Sequence, residues 1–145
     1  MVTSCRFESD LRYQLILLFF IIFLCEDSMS KCLFCLIVKK ELPAQIVHET
    51  DHVIVFADRS PRAPVHLLVV PKEHVVNIND LSDAQSALAV EMLRAVQYLA
   101  KRYGNAPDSG FNLISNNGKS AGQAVFHMHW HFLAGKNIYE KGISL

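Results

Sequence analysis

The sequence predicts an α+β domain built on an antiparallel sheet. Three observations support this prediction: short apolar segments separated by turn residues, one long amphipathic helix, and a final segment in which polar and apolar residues alternate. Strands that are set apart from one or two helices along the chain favour this class. The 145 residues have no net charge and suit one compact domain.

The first residues differ from the rest of the chain. Leu15–Cys25 is an unbroken apolar run of eleven residues, whereas a membrane-spanning helix needs about twenty. Three interpretations stay open: a signal peptide, a membrane anchor, or an upstream artefact with translation starting at Met29. We therefore treat 1–28 as an apolar extension and assign the foldable domain to 29–145. Contact with a membrane is expected only if the extension is a real anchor.

Three strands are expected in the first half of the domain. Ile46–Val47 and Val53–Phe56 flank a polar turn, which predicts a hairpin. Two prolines stiffen the loop Ser60–Pro64 because each one fixes φ and removes a backbone donor. Val65–Val70 follows as a buried strand, and Pro71 ends it.

A long helix comes next. Ser82 can cap it, and Gln85 completes a capping box. Gly104 is expected to end it in a left-handed conformation. Four apolar residues recur at helical spacing and predict one buried face: Leu88, Met92, Ala95 and Leu99.

The most informative segment is the predicted final strand, Ala124–Ala134, which follows a strand at Phe111–Ser115. Strand side chains alternate between two faces, so His127, His129 and His131 should share one face at intervals of about 6.5–7 Å. Such a row suits metal ligands, because neutral imidazole is a common nitrogen donor. It equally suits a nucleophile with supporting groups. Spacing alone leaves both interpretations open.

Two further features indicate a small anionic ligand and, separately, a reducing compartment. The loop Asn116–Gln123 carries glycines and amide donors, and such loops can turn backbone N–H groups toward an anion. Cys32 and Cys35 are too close in sequence to form a disulfide framework, so a cytoplasmic location is expected. The balanced charge offers no basic face for a nucleic acid polymer.

Several motifs together resemble the histidine triad (HIT) family, and the end of the last strand resembles its Hint branch, the nucleoside phosphoramidases. The motifs span residues 32 to about 135. They are Phe34, Glu41-Leu42-Pro43-Ala44, Phe56-Ala57-Asp58, Ser60-Pro61, Ala63-Pro64, His66 to Lys72, His74, Asn116-Asn117-Gly118, Ala121-Gly122-Gln123, Val125 to His131 and Leu133-Ala134-Gly135.

The resemblance implies a fold, an activity and a partner. The fold is a sheet of about five antiparallel strands with one long helix and a short N-terminal helix, and the partner is a second copy of the chain. The activity is hydrolysis of purine nucleoside 5′-phosphoramidates. Two alternatives stay open: hydrolysis of dinucleoside polyphosphates, and a nucleotide-binding or scaffolding module with little turnover. No organic cofactor is expected.

The resemblance also implies roles for single residues. His129 would attack phosphorus, His131 would bind phosphate and protonate the leaving amine, and His127 and His66 would support them. Asp58 would accept the ribose hydroxyls. Further nucleotide contacts are expected from Phe34, Leu42, Phe56, Arg59, Asn116, Gly122, Gln123 and Ala124. Two of these depart from the Hint pattern, since Ala124 replaces a usual serine and Arg59 a common apolar residue.

A structural zinc site is the last implication of the resemblance. Bacterial members of this type carry a Cys-x-x-Cys pair, and its histidine partners correspond to His74 and His127 here. Cys32, Cys35, His74 and His127 would form a closed tetrahedral set. The alternatives are two unligated buried cysteines, or a metal carrier that uses all three triad histidines.

Overall fold

The computed structural model describes residues 32–104 and 110–139, so the predicted extension 1–28 lies outside the described residues. Two helices and five strands follow one another, with short 3₁₀ turns between some of them. They are α1 (Leu33–Val38), β1 (Ile46–Glu49), β2 (Val53–Ala57), β3 (Val65–Pro71), α2 (Ser86–Tyr103), β4 (Phe111–Ile114) and β5 (Trp130–Ala134). Among these described residues, no helix is both long and apolar enough to cross a membrane.

The five strands form one antiparallel sheet in the order β1-β2-β3-β5-β4. This confirms the predicted α+β class, the five strands, the long helix and the short N-terminal helix. β5 inserts between β3 and β4, which places His131 opposite Leu68 on one side and Ile114 on the other. Because β5 is paired on both sides, it holds His131 in a fixed register.

Both faces of the sheet are covered, which explains why β2 and β3 are apolar along nearly their whole length. Alternate residues of β2 face opposite ways: Val53 and Val55 pack under α2, and Ile54 and Phe56 pack against α1. Burying such a side chain contributes about 1.5–3 kcal/mol. α1 is thereby held against the sheet on the side opposite α2.

The ends of α2 differ in detail from the prediction. The Ser82 backbone N–H does donate to Gln85 Oε1 at 3.0 Å, but a 3₁₀ turn follows and the α-helix begins at Ser86. The expected left-handed conformation of Gly104 is wrong, because its φ is −109°. A Cβ there would lie 2.9 Å from the Ala100 carbonyl oxygen and 3.3 Å from Phe111, so the glycine allows a close approach.

The last strand is shorter than predicted, because only Trp130–Ala134 is extended and paired. Residues 125–127 bend, with the His127 N–H donating to the Val125 carbonyl at 2.9 Å. The Met128 N–H then donates to Val75 at 2.6 Å, outside the sheet ladder. The assignment of 124–129 to a strand is therefore wrong.

Candidate functional site

The bend before β5 separates the three histidines that alternation placed on one face. His129 and His131 stay neighbours, with ring centroids 5.1 Å apart. His127 is fully buried, and its ring faces Cys32, Cys35 and the Pro71 carbonyl instead. The predicted row of three is thus a pair plus one residue in a second cluster.

The hydrogen bonding of His129 fixes which of its ring nitrogens is reactive. Its Nδ1 lies 2.7 Å from the His127 carbonyl oxygen, which can only accept. Nδ1 therefore carries the proton, and Nε2 has a free lone pair. Burial lowers the pKa of His129, so the ring is neutral at pH 7. A buried, neutral and oriented imidazole is suited to nucleophilic attack.

A second chain of hydrogen bonds orients His131. The Arg62 backbone N–H donates to His66 Nδ1 at 3.1 Å, so the proton of a neutral His66 is on Nε2. That nitrogen lies 2.9 Å from His131 Nδ1 and donates to it. The proton of a neutral His131 is then on Nε2, the nitrogen that is left to face a ligand. This chain places His66 on β3 behind His131 on β5.

Burial, followed by the neighbouring His129 and His66, lowers the pKa of His131 to about 4. Burial also lowers the pKa of His66. Asp58 opposes both effects, because its Oδ2 lies 3.5 Å from His66 Nε2 and 3.9 Å from His131 Nδ1. Its other oxygen accepts the Ser60 N–H at 2.7 Å, which fixes the carboxylate in the site.

More of the N–H donors of the loop Asn116–Gln123 form hydrogen bonds within the protein than the sequence predicted. The Gly118 N–H donates to Gln123 Oε1 at 2.7 Å, and the N–H groups of 121, 122 and 123 donate to carbonyls within the loop. Gln123 Nε2 donates to Val76 O at 2.6 Å, and Asn116 Nδ2 donates to Ala121 O at 2.5 Å. Asn116 and Gln123 therefore shape the loop, and fewer backbone donors face outward than the sequence indicated.

The expected base-binding residues occupy one apolar cluster. Phe34 and Phe56 are buried with ring centroids 5.5 Å apart, and half-buried Leu42 packs against the same cluster. Phe34 also contacts the His129 ring edge to face at 5.1 Å. Arg59 is exposed and lies outside this cluster. Gly122, within the loop Asn116–Gln123, and Ala124, directly after it, are also exposed.

The four residues of the expected zinc set come together. Their ligand atoms all lie within 4.8 Å of one another. Cys35 Sγ is 3.2 Å from His74 Nδ1, and Cys32 Sγ is 3.4 Å from His127 Nδ1. His127 Nε2 donates to the Pro71 carbonyl at 2.8 Å, so its Nδ1 lone pair faces the thiols.

The chemistry of this set fits a structural metal ion. Burial, together with Cys32, raises the pKa of Cys35 to about 11, so the thiol stays protonated without a cation. A bound divalent ion would deprotonate it. Two sulfurs and two imidazole nitrogens in a closed set, with one histidine held from behind by a carbonyl, are the donors that structural zinc prefers.

Residues 39–138 match the family described as HIT domain. The chain belongs to the HIT family. It is 36% identical over 109 residues to the purine nucleoside phosphoramidase of Escherichia coli K12, which covers 75% of this chain and 91% of the relative. This finding agrees with the resemblance to the nucleoside phosphoramidase branch.

Solved structures of HIT proteins share the fold. A HIT family hydrolase from Legionella pneumophila has a TM-score of 0.70 and 39% identity, covering 74% of this chain and 95% of the other. A histidine triad nucleotide-binding protein from Candida albicans has a TM-score of 0.66 and 33% identity, covering 74% and 76%. The family thus includes hydrolases and nucleotide-binding proteins.

Two parts of the site had no signal in the sequence. The backbone N–H of Arg62 and the carbonyl of Pro71 select the tautomers of His66 and His127. Every residue has a backbone carbonyl, and every residue except proline has a backbone N–H, so no sequence motif indicates where these groups point. Only the fold brings them to the histidines.

Proposed function

We propose that the protein hydrolyses purine nucleoside 5′-phosphoramidates through a nucleotidyl intermediate on His129. The observation that carries this proposal is the 2.7 Å contact between His129 Nδ1 and the His127 carbonyl oxygen, which leaves Nε2 as a buried, unprotonated nitrogen. The E. coli relative named purine nucleoside phosphoramidase supports the substrate class.

The reaction would proceed in two balanced steps. In the first, His129 Nε2 forms a bond to phosphorus while the phosphorus–amine bond breaks, and the leaving nitrogen takes a proton from His131 Nε2. In the second, water attacks phosphorus and returns a proton to His131, and the bond to His129 breaks. The products are the free amine and the nucleoside 5′-monophosphate.

To act as the general acid, His131 must be protonated, but the site without substrate disfavours the protonated ring. Burial and the neighbouring histidines hold its pKa near 4. A phosphate anion beside His131 acts in the opposite direction, as does Asp58, because negative charge favours the protonated ring. We infer that the general acid becomes charged when substrate binds, which couples binding to the chemical step. Nδ1 of the charged ring also carries a proton, so the bond from His66 Nε2 would be lost, and Asp58 Oδ2, 3.5 Å from His66 Nε2 and 3.9 Å from His131 Nδ1, would be the acceptor for these N–H groups.

Nucleotide recognition would divide among three groups of residues. Asp58 would accept the ribose hydroxyls, and the apolar cluster of Phe34, Leu42 and Phe56 would form one wall for the purine. The loop that Asn116, Gly122 and Gln123 shape would position Ala124 beside the phosphate. Arg59, which is exposed, would reach only the rim of the base site.

Turnover of an adenosine 5′-phosphoramidate by the purified chain tests the proposal. We expect stoichiometric release of AMP and amine, faster than hydrolysis of a diadenosine polyphosphate at equal concentration. Preferred cleavage of the polyphosphate would favour the alternative hydrolase activity. Tight AMP binding with no turnover of either compound would favour the binding or scaffolding alternative.

The cluster of Cys32, Cys35, His74 and His127 is proposed to hold one zinc ion. The ion would supply folding free energy and no chemistry to the reaction, because four protein ligands leave no open position.

The thiols of Cys32 and Cys35 suit a reducing compartment, so we assign the protein to the cytoplasm. Residues 29–145 are proposed as the functional unit, and a chain beginning at Met29 should keep full turnover.

A homodimer is the proposed assembly. β4 lies at the edge of the sheet, and its Phe111 and Leu113 are 41% and 39% exposed. On α2, Val90 and Leu93 are about half exposed. An exposed sheet edge and exposed apolar side chains are features that become covered when two chains associate. Light scattering after gel filtration should give twice the chain mass, and a monomeric mass would contradict the assembly.

A further inference from the structure

Cys32 and Cys35 form a pair of free thiols that the proposed hydrolysis does not use. Cys35 is buried in the first turn of α1, and Cys32 directly precedes that helix and is half-buried. Their sulfur atoms lie within 4.8 Å of each other, and both contact the same ring nitrogen, His127 Nδ1, at 3.4 and 3.6 Å. Residues 32–104 and 110–139 contain no other cysteine. Each of the two sulfurs therefore has the other as its neighbouring thiol.

The spacing of the pair lets the two sulfurs form a bond with little change of the backbone. The Leu36 N–H donates to the Cys32 carbonyl at 3.1 Å, and Cys35 lies within the turn that this bond closes. Bonded sulfurs are about 2.0 Å apart, so rotation of the side chains must bring these two closer by less than about 3 Å. Other Cys-x-x-Cys pairs cycle between the dithiol and the disulfide.

We propose that Cys32 and Cys35 are a reversible oxidation site, at which hydrogen peroxide converts the two thiols to a disulfide. This inference does not depend on the proposed hydrolysis. Oxidation follows thiol exposure, so Cys32 reacts first and the buried Cys35 second. The oxidised pair offers no thiolate, so the proposed zinc ion would be lost. In a reducing compartment such disulfides are usually transient and redox-sensing.

The chemistry balances with peroxide as the only co-reactant. In the first step the Cys32 sulfur bonds to one peroxide oxygen while the oxygen–oxygen bond breaks, which gives a sulfenic acid and water. In the second step the Cys35 sulfur bonds to the Cys32 sulfur, the sulfur–oxygen bond breaks, and a second water leaves. Two thiols are oxidised and one peroxide is reduced. A thiol reductant restores the pair by thiol–disulfide exchange.

Mass spectrometry of the full chain, reduced and then treated with hydrogen peroxide, tests the proposal. Remaining thiols are alkylated before digestion with trypsin. Cleavage after Lys31 and Lys39 releases the pair in one peptide, separate from Cys5 and Cys25. We expect this peptide to escape alkylation, to lack two hydrogen atoms, and to be alkylated again after treatment with dithiothreitol. A chromogenic chelator should detect about one zinc ion released per disulfide formed.

Two serine variants test the order of the steps. In Cys35→Ser the second thiol is absent, so Cys32 should accumulate as the sulfenic acid and be labelled by dimedone. In Cys32→Ser the labelling of Cys35 should be at least about fivefold lower, because exposure governs oxidation. Cys25→Ser removes a cysteine outside the described residues, and this control should form the parental disulfide. Circular dichroism shows whether each variant folds, and the parental measurement does not depend on it.

The outcomes separate this inference from the other proposals. The oxidation site is overturned if both thiols of the treated parent are still alkylated, or if either one only gains oxygen. Pairing with Cys5 or Cys25 would also overturn it, whatever the chain does with phosphoramidates. A Cys32–Cys35 disulfide in protein that holds no zinc would support the oxidation site and overturn the zinc proposal alone. A disulfide formed with zinc fully retained would overturn the predicted loss of metal.

Discussion

His127 illustrates how one residue can serve two sites. Its ring Nδ1 faces Cys32 and Cys35, and its Nε2 donates to Pro71. Its backbone carbonyl meanwhile accepts the hydrogen bond from His129 Nδ1–H that selects the tautomer of His129. The ring and the carbonyl of His127 thus contact the metal-site cysteines and the proposed nucleophile, respectively. The candidate metal site and the candidate catalytic site therefore share this residue.

Ala124 provides a test of the loop beside the histidines. It is exposed and directly follows Gln123, whose side chain holds the loop to the backbone. A serine hydroxyl there would meet charge that develops during the reaction, which raises kcat more than it changes binding. We expect Ala124→Ser to raise kcat on phosphoramidates by several-fold to about tenfold, because water competes at an exposed position. KM should change little.

Steady-state kinetics of both chains decides this point. Ser120→Ala, which removes an exposed hydroxyl elsewhere in the same loop, is the control. An unchanged or lower kcat in Ala124→Ser would show that position 124 does not face the phosphate.

At the residue scale, the sequence predicted more of the chemistry than of the geometry. The motif pattern predicted that Cys32, Cys35, His74 and His127 assemble, and their ligand atoms do lie together. Alternation alone wrongly put His127 on one face with His129 and His131. The bend depends on a bond from Met128 to the Val75 carbonyl, which is distant in sequence and had no local signal.

Among the secondary structure elements, the end of β5 is coupled to the loop beside the site. Gly135 follows β5 with φ +88°, and a Cβ there would lie 3.1 Å from Pro64 Cβ. The left-handed backbone and the contact both disfavour a side chain. We expect Gly135→Ala to lower the free energy of unfolding by about 1–3 kcal/mol.

Urea denaturation measures this cost, with Gly110→Ala as the matched control. A Cβ at Gly110 has nothing within 4 Å and no strained φ, so that variant should stay within about 0.5 kcal/mol of the parent. Equal stability of the two variants would mean that Pro64 does not constrain position 135.

Helix α1 is the element that depends most on the proposed metal. It has only six residues, and a helix of that length is not stable alone. Phe34 and Ile37 pack it on the sheet, while Cys32 and Cys35 attach it to the histidines. We expect about one zinc per chain, and we expect Cys35→Ser or chelation to lower Tm by at least about 5 °C.

Metal analysis and thermal unfolding of the reduced protein check this expectation. His52→Gln removes an exposed histidine outside the cluster and should keep both the zinc and the parental Tm. Protein that is free of zinc and indifferent to chelator would overturn the metal proposal and leave the proposed hydrolysis untouched.

The elements themselves were largely predictable, and their ends were not. Long apolar runs identified β2 and β3, and helical spacing identified the buried face of α2. Gly104 was assigned a left-handed role because glycine often has one at helix ends. Its actual role is the close contact with Ala100 and Phe111, which only the packing of β4 on α2 creates.

For the whole molecule, the buried histidines predict a strong dependence of stability on pH. Burial is the main cause that lowers the pKa of His127 and of His131 to about 4, and burial also lowers the pKa of His66 and His129. The unfolded chain has histidines near 6.5, so it binds more protons between about pH 6.5 and pH 4. The free energy of unfolding should therefore fall as pH drops through this window.

Each histidine that differs fully in protonation contributes about 1.4 kcal/mol per pH unit. Urea denaturation at pH 7.5, 6 and 5 measures the slope. His131→Gln should reduce it, and the exposed His52→Gln should not. A stability that stays constant from pH 7.5 to 5 would contradict the neutral, buried state of these rings.

The most direct test of the central claim is to look for the nucleotide on His129. An adenosine phosphoramidate is mixed with a His131→Asn chain, in which both steps are slowed because each uses His131, and protein quenched over a time course is digested and analysed by mass spectrometry. We predict one adenylyl group on the peptide that contains His129, and none in a His129→Gly chain, which should also lose turnover by several orders of magnitude. Near-parental turnover in His129→Gly, or an adenylyl group on another residue, would contradict the account.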